Sequence, residues 1–255
     1  SIRAETIVSN ADPMTTYSSL AKRLKKRWWS SENFSRKKWS MSLFVWHFGT
    51  RGTRELWRDI DQHTILQGPD YKGEVDKIFF NGGLDDDMSL YLHRPTCNDK
   101  TAAPSGDDAF YALACVPNLK IDPNLDWSRD GEKYKEKVLK TLESKLLPGL
   151  SERIVESHLM TPLDFKERYN SPFGAGFSLE PRMFQSAWFR PHNYSEEVNG
   201  LYLVGAGTHP GPGVPGVLAS AEVTTKLIPS INSKENNVAP SQLKYANSRE
   251  GSVVQ

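Results

Sequence analysis

The sequence has few cysteines, no long apolar run and almost no net charge. Its two cysteines, Cys97 and Cys115, are too few for a disulfide framework or a cysteine-rich metal site, and they indicate buried thiols in a reducing compartment. No run of about 18 apolar residues is present, so no membrane-spanning helix is predicted. The 32 basic and 31 acidic residues nearly cancel, and bulk charge therefore gives no reason to expect a nucleic acid partner.

The amino terminus has neither an initiator Met nor the apolar segment of a signal peptide. We therefore expect a fragment of a longer reading frame, or a trimmed chain. A length of 255 residues fits one large domain or two small ones. With 7 Trp and 11 Phe, the chain is fairly rich in large aromatic residues. They indicate either ordinary core packing or an apolar substrate cavity.

The hydrophobic pattern predicts a mixture of strands and helices, and hence an α/β (α+β mixed) class. The predicted strands are 4–8, 42–49, 63–67, 88–93, 109–116, 154–160 and 201–204. The predicted helices are 17–29, 72–81, 126–147, 161–168 and 217–228. Residues 230–255 are polar and poor in apolar side chains, which predicts a disordered tail.

The predicted helix 17–29 is strongly basic and ends in two tryptophans. Its charged and aromatic residues are Lys22, Arg23, Lys25, Lys26, Arg27, Trp28 and Trp29. A basic helix of this kind can lie on an anionic membrane surface. It can equally be a solvated helix whose cations lie near its carboxyl end.

The segment 201–228 combines a strand, a glycine-rich turn and a helix, and it carries the clearest chemical signal. A helix N-terminus offers unpaired N–H groups and a positive dipole end, while glycines allow close approach of the backbone. Together they suit a phosphate-bearing or electron-rich cofactor, although such turns also occur without a ligand. The turn has no Gly-Lys-Ser/Thr, and it is not the GxGxxG fingerprint of a first βα turn.

The string Leu201–Gly216, centred on GAGTHPG, resembles the carboxy-terminal flavin-contacting motif of the phytoene desaturases. Other segments resemble the same family in the same order, and together they cover residues 5–229. They are SNAD at 9–12, SLFV at 42–45, SLYLH at 89–93, APSG at 103–106, LDW at 125–127, TPLDF at 161–165 and QSAWFRPHN at 185–193.

The resemblance implies part of a two-domain FAD/NAD(P)-binding flavoprotein fold. Residues 1–20 would end the first portion of a discontinuous FAD domain, and 21–198 would form a mixed-sheet substrate domain. Residues 199–229 would be the returning strand and helix, followed by the tail at 230–255. No strand–GxGxxG–helix is present, so most of the ADP site is expected upstream. At Gly205-Ala206 the wider amine-oxidase-like superfamily has Gly-Asp. Ala206 cannot supply that carboxylate, so the residue that would bind the polar part of the cofactor there is not identified.

The implied function is FAD-dependent dehydrogenation of phytoene in carotenoid (lycopene or neurosporene) biosynthesis, with hydride transfer to flavin N5. The expected location is peripheral, on the cytoplasmic side of a membrane, with the basic helix as the contact and a homo-oligomer as a further candidate. Alternatives are a dehydrogenase of hydroxylated or methoxylated carotenoids, a carotene isomerase, a flavin-free lipid-binding module, or an inactive fragment.

The resemblance and the residue chemistry together give three groups of candidate site residues, and no metal ligands. The cofactor candidates are Asn10, Gly205, Ala206, Gly207, Thr208, Gly213, Val214, Pro215 and Gly216. The catalytic candidates are Arg190, His192 and His209, for which a salt bridge or a structural histidine is the alternative. The substrate candidates are Phe173, Phe177, Phe184, Trp188 and Phe189, for which ordinary core packing is the alternative.

Overall fold

The computed structural model describes residues 4–21 and 29–229, and the chain divides into two compact units. The first unit combines the two ends of the chain, 1–34 and 183–255, and the second comprises 35–182. The strands are β1 (Ile7–Ser9), β2 (Ser42–Thr50), β3 (His63–Leu66), β4 (Leu90–His93), β5 (Asp108–Val116), β6 (Ile154–Met160) and β7 (Leu201–Leu203). The helices are α1 (Pro13–Thr15), α2 (Ser31–Arg36), α3 (Tyr71–Asp76), α4 (Trp127–Lys145), α5 (Pro162–Arg168) and α6 (Val214–Leu227), with π-helical turns at Thr16–Leu20 and Lys77–Asn81.

The first unit contains a two-stranded parallel sheet. β1 pairs with β7 in the register Ile7–Leu201, Val8–Tyr202 and Ser9–Leu203. β7 is buried, whereas β1 leaves two of its three side chains exposed. The turn that follows β7 leads directly into α6, so this sheet positions the glycine-rich segment.

The second unit contains a five-stranded sheet in the order β3-β4-β5-β2-β6, and every adjacent pair is antiparallel. The predicted α/β (α+β mixed) class is therefore confirmed, with one parallel and one antiparallel sheet. The inner strand β2, between β5 and β6, is buried at most positions, while the edge strand β6 is largely exposed.

The core of the second unit lies between one face of this sheet and α4. Residues alternate along β5, and its buried members Phe110, Ala112, Ala114 and Val116 point to this core. The apolar face of α4, which includes Val138 and Leu142, packs against them. The alternation of apolar residues with period 2 in β5 and the amphipathic pattern of α4 account for this packing. The opposite face of the sheet is partly open.

Asp108, at the start of β5, and Arg94, after β4, form a buried ion pair with an Nε to Oδ1 distance of 3.0 Å. Asp108 also accepts from the Thr96 and Thr53 hydroxyl groups at 2.5 and 2.9 Å. The guanidinium donates further hydrogen bonds to the backbone carbonyls of Trp57, Ile60 and Arg54. This network fixes the loop before β3 and the ends of β4 and β5.

The structural units begin and end at different residues from the sequence-based divisions. The observed boundaries follow Phe34 and Arg182, whereas the predicted ones followed residues 20 and 198. The segment 183–198 belongs to the first unit because its backbone bonds to β7 and to the glycine-rich turn, for instance from Leu203 N to Asn193 O at 2.9 Å. Helix α6 also begins three residues earlier than predicted, since Pro215 fits the first helical turn.

Most of the predicted basic helix 17–29 and the predicted tail 230–255 lie outside the described residues. Within the described part, Thr16–Leu20 forms a π-helical turn with Tyr17 buried. In the portions 4–21 and 29–229, no helix combines the length and the apolar character needed to cross a membrane.

Candidate functional site

The turn between β7 and α6 depends on glycines at positions where the backbone takes a left-handed conformation. Gly205, Gly211 and Gly213 have φ angles of 115°, 141° and 95°. A Cβ on Gly205 would lie 2.6 Å from Asn10 Oδ1, and one on Gly216 would lie 2.5 Å from the carbonyl oxygen of Gly211. The turn can therefore close only without these side chains.

Helix α6 begins at an open, uncapped N-terminus. Gly213 is its N-cap and supplies no side-chain hydrogen bond, and Pro215 occupies the first turn. Val214 is 73% exposed, and the space around Gly213 is free of neighbouring atoms within 4 Å of a virtual Cβ. Pro215 has no N–H group, so Val214 and Gly216 supply the first-turn N–H groups, and an uncapped helix N-terminus of this kind can bind phosphate groups.

A buried polar network around Asn193 fixes the shape of this turn. The Asn193 side-chain amide, 2% exposed, donates to Ser220 Oγ at 2.9 Å and to Thr224 Oγ1 at 3.2 Å. It also reaches the carbonyl oxygens of Leu203 and Ser220, both at 3.3 Å. The Ser220 hydroxyl in turn accepts from the Gly205 N–H at 3.1 Å. One amide thus connects the end of β7, the start of the turn and the middle of α6.

Arg190 also contacts the glycine-rich turn, through its guanidinium group. Its side chain is buried, and Nη2 donates to the Ala206 carbonyl at 2.9 Å. Nη1 donates to the Gln185 carbonyl at 3.4 Å. Burial lowers the pKa of Arg190 to about 10, while the charge of Asp12 acts in the opposite direction. Arg190 therefore remains a cation at neutral pH, and it lies beside Gly211 under the turn.

The two histidine candidates occupy different environments. His192 is bonded at both ring nitrogens, with Nδ1 2.5 Å from Glu196 Oε1 and Nε2 3.1 Å from the Trp188 carbonyl. The hydrogen bond to Glu196 raises the pKa of His192. His209 lies at the turn, and its Nδ1 is buried without a hydrogen-bond partner among the described residues. Of the two histidines, His209 is therefore the one with a ring nitrogen, Nδ1, that makes no hydrogen bond within the described residues.

The structure brings most of the predicted cofactor residues together at one place. Asn10 follows β1 and lies against Gly205, so both strands of the parallel sheet end at the turn. Thr208 differs from the others, because its hydroxyl is buried and bonds to the Gly205 carbonyl at 2.9 Å and to Ser220 Oγ at 2.8 Å. Its side chain supports the turn from inside.

The five predicted substrate aromatics are divided between the two units. Phe173 and Phe177 lie in the second unit, where Phe173 packs edge-on against Trp39 with ring centroids 5.4 Å apart. Phe184, Trp188 and Phe189 lie in the first unit, with their side chains exposed.

A separate apolar cavity of about 380 Å³ lies within the second unit, on the partly open face of the five-stranded sheet. It is lined by Met41, Ile65, Tyr71, Glu74, Val75, Ile78, Phe79, Ser89, Leu90, Tyr91, Leu113 and Cys115. Its size falls in the range of small-molecule sites. The sequence pattern predicts the apolar helix face that includes Val75 and Ile78, and it predicts the strand that includes Leu113. It does not indicate that these two elements line a common cavity.

The cavity carries few polar groups, and two of them are restrained. Glu74 is buried and accepts at both oxygens from Ser89, at 2.8 Å from the N–H and 2.5 Å from the hydroxyl. Burial raises the pKa of the Cys115 thiol, with the charge of Glu74 adding to the effect, so the thiol stays protonated. The cavity therefore suits an apolar ligand.

The residues around the turn fit the FAD that the resemblance implies. The glycines open a space that side chains would close, the uncapped N-terminus of α6 offers N–H donors, and buried Arg190 adds positive charge beneath them. Gly205, Ala206, Gly213, Val214 and Gly216 would hold the cofactor through their backbone. Among the described residues, no group of three or more His, Cys, Asp or Glu side chains is arranged to hold a metal ion.

Comparison with a solved structure gives the class of fold. Over 88% of this chain and 43% of the other, the chain is similar to an oxidoreductase from Methanosarcina mazei, with a TM-score of 0.51 and 14% identity. The chain thus shares its fold with the matched part of that structure. No family model matches the chain.

Sequence relatives then give the family. The chain is 56% identical to a neurosporene-forming phytoene desaturase of Rhodobacter capsulatus, over 92% of the chain and 45% of the relative. It is 53% identical to the neurosporene-forming enzyme of Cereibacter sphaeroides and 42% identical to a lycopene-forming one of Paracoccus, covering 46% and 44% of these relatives. The chain belongs to the phytoene desaturase family, and it spans under half the length of the curated relatives it matches.

Proposed function

We propose that the complete gene product containing this chain is an FAD-dependent phytoene desaturase that forms neurosporene. The main observation in support of this proposal is the 56% identity to a neurosporene-forming relative along 92% of the chain. The second relative, at 53%, carries the same designation, while lycopene-forming relatives are more distant at 42%. Relatives that act on 4,4'-diapophytoene are more distant again, at 34–37%.

The glycine-rich turn and α6 contribute to the flavin site in this proposal. FAD, when bound, supplies the hydride acceptor for the reaction. The chain's own contribution is a rigid backbone cradle, held from inside by Asn193 and Arg190, that positions N–H donors without further reorganisation.

The apolar cavity in the second unit supports a hydrocarbon substrate. Phytoene offers no polar handle, so its binding depends on buried apolar surface, at about 25 cal/mol per Å². The cavity provides such surface from Ile65, Ile78 and Leu113, and its one carboxylate is already bonded to Ser89.

The first test is product formation by the complete gene product, reconstituted with FAD and supplied with phytoene in liposomes. We expect chromatography to show a conjugated product with the retention and spectrum of neurosporene. A methoxylated or hydroxylated carotenoid consumed in place of phytoene would instead identify a sister dehydrogenase, and a changed double-bond geometry without new conjugation would identify an isomerase.

The proposed enzyme works at a membrane surface, because its substrate partitions into the bilayer. The proposed contact is the basic segment 17–29, on the cytoplasmic side. Reversing the charges of Lys22, Arg23, Lys25 and Arg27 to Glu is expected to reduce flotation with anionic liposomes by at least tenfold. A matched set on α4, Lys133, Lys135, Lys137 and Lys140 to Glu, serves as the control. An equal loss of flotation in both variants would indicate that net charge alone determines liposome binding. Undiminished flotation of the first variant would rule out segment 17–29 as the membrane contact.

A further inference from the structure

The apolar cavity of the second unit has an exposed end and a buried end. Ile65 and Tyr71, in its wall, are 79% and 56% exposed, so they mark the end that opens to solvent. Glu74, in the same wall, is only 5% exposed. Its charge contributes to the raised pKa of the Cys115 thiol, so these two side chains lie near each other. A chain-like ligand that enters beside Tyr71 therefore brings its leading end towards Glu74 and Cys115.

The polar groups at the buried end already bond to one another. The Glu74 carboxylate accepts from the Ser89 N–H at one oxygen, at 2.8 Å, and from the Ser89 hydroxyl at the other, at 2.5 Å. The Ser89 oxygen in turn accepts from the Gly68 N–H at 3.0 Å. The Cys115 thiol stays protonated because burial raises its pKa, and a thiol is a weak hydrogen-bond donor. A ligand hydroxyl group at this end would therefore find little to replace its bonds to water.

Two tyrosines supply the other hydroxyl groups of the wall. The Tyr91 hydroxyl oxygen lies 2.6 Å from Nδ1 of His63, an exposed residue on the edge strand β3. The hydroxyl of Tyr71 makes no hydrogen bond to any side chain of the described portion of the chain, and it belongs to the exposed end. A polar group of a ligand can therefore be accommodated at the exposed end, in contact with Tyr71 and with water.

The Glu74–Ser89 pair also allows a hydrocarbon to pack beside a buried carboxylate. Carboxylate oxygens without a protein donor hold water molecules, and an apolar end group that displaces such water cannot replace its hydrogen bonds. Ser89 supplies one donor to each oxygen of Glu74, so the carboxylate depends less on water. The buried end is therefore suited to an end group that needs no hydrogen bond.

We propose that the cavity selects its ligand by the end group: it admits the hydrocarbon end of an acyclic carotene and excludes an end that carries a hydroxyl group. The Glu74–Ser89 pair is the specificity determinant. The identity of the ligand as a carotene rests on the function proposed above. Burying a hydroxyl group without a partner weakens binding by about tenfold or more. Phytoene, which is hydrocarbon at both ends, is thus favoured over a carotenoid with a hydroxylated end.

The thiol of Cys115 makes occupancy of the buried end measurable. Its modification by a maleimide in the complete gene product is followed by peptide mass spectrometry, with the exposed Cys97 as the internal control. The probes are dodecane, dodecanol with its hydroxyl group at one end, and the diol with a hydroxyl group at each end. We expect dodecane and dodecanol to protect Cys115 at similar free concentrations, because dodecanol can enter with its hydrocarbon end first. The diol should need at least about a tenfold higher concentration.

Ser89→Ala tests the specificity determinant. It removes the hydroxyl donor from one oxygen of Glu74, so that a ligand hydroxyl group can donate there instead. We expect the diol to protect Cys115 at about a tenfold lower concentration than in wild type, while the concentration of dodecane stays within about threefold. Ser151→Ala is the matched control and should keep the wild-type pattern, because Ser151 donates its N–H and hydroxyl to Glu143 in the same way at an exposed position.

The outcomes separate the selectivity, its determinant and the proposed function. Equal protection of wild type by dodecane and by the diol, or no protection by dodecane, would overturn the selectivity, and this comparison needs no variant to fold. A diol that stays excluded from Ser89→Ala, while dodecane still protects, would overturn the role of the Glu74–Ser89 pair. A protein that shows the selectivity but forms no product from phytoene would overturn the proposed function and leave the selectivity intact.

Discussion

Asp108→Asn is expected to lower the free energy of unfolding of the second unit by about 3–5 kcal/mol, because it breaks a buried ion pair from one side. Asp108 accepts four hydrogen bonds, two from Arg94 and one each from Thr53 and Thr96. An amide can accept at only one of its two heavy atoms, and its NH₂ group would point at donors. The Arg94 cation would then be buried without its counter-charge.

Urea unfolding followed by tryptophan fluorescence would measure this loss. Asp61→Asn, at an exposed position before β3, is the matched control and should change stability by less than about 0.5 kcal/mol. Combining Asp108→Asn with Arg94→Met should cost clearly less than the sum of the two single losses, because they share one interaction. A loss below about 1 kcal/mol for Asp108→Asn would show that the network is not what stabilises these loops.

Asn193→Asp should destabilise the first unit more than Asn193→Leu, although Asp is the smaller chemical change. The side-chain amide of Asn193 faces the carbonyl oxygens of Leu203 and Ser220. Leucine removes the amide donor, but both carbonyls keep the Thr224 hydroxyl as a donor, at 3.0 and 2.8 Å, so we expect a total loss of about 1–3 kcal/mol. A carboxylate adds repulsion between its own oxygens and those carbonyls, and it buries a charge in place of a neutral amide.

Thermal unfolding and flavin retention after desalting would together test this order in the complete gene product. We expect Asn193→Asp to release most of the bound flavin, because the turn loses its connection to β7 and α6. Asn199→Asp, exposed in the loop before β7, changes the same atoms without burial and should retain both stability and flavin. Equal melting temperatures for the two Asp variants would refute the role assigned to Asn193.

The sequence predicts those parts of the fold that are set by local pattern. The alternation in β5 and the apolar stripe of α4 are readable because burial recurs with a fixed period. The glycine-rich turn is readable because left-handed backbone positions require glycine.

The features that pattern does not reveal are contacts between residues far apart in the chain. Asn193 reaches Thr224, 31 residues away, and an asparagine in an irregular segment gives no periodic signal. The Tyr91–His63 pair spans 28 residues and two strands whose register sequence alone does not specify. Arg94 and Asp108 are ordinary charges in the sequence, and only their burial distinguishes them.

The pairing of β1 with β7 has a consequence for how the chain is made. The ribosome synthesises β1 near the start of this chain and β7 only about 190 residues later. At about 5–20 residues per second, the partner strand appears roughly 10–40 s after β1. During that interval the whole antiparallel sheet can be completed, since all its strands lie between the two. The inserted unit is therefore ready to fold during translation, while the backbone N–H and C=O groups of β1 still lack β7 as their partner strand.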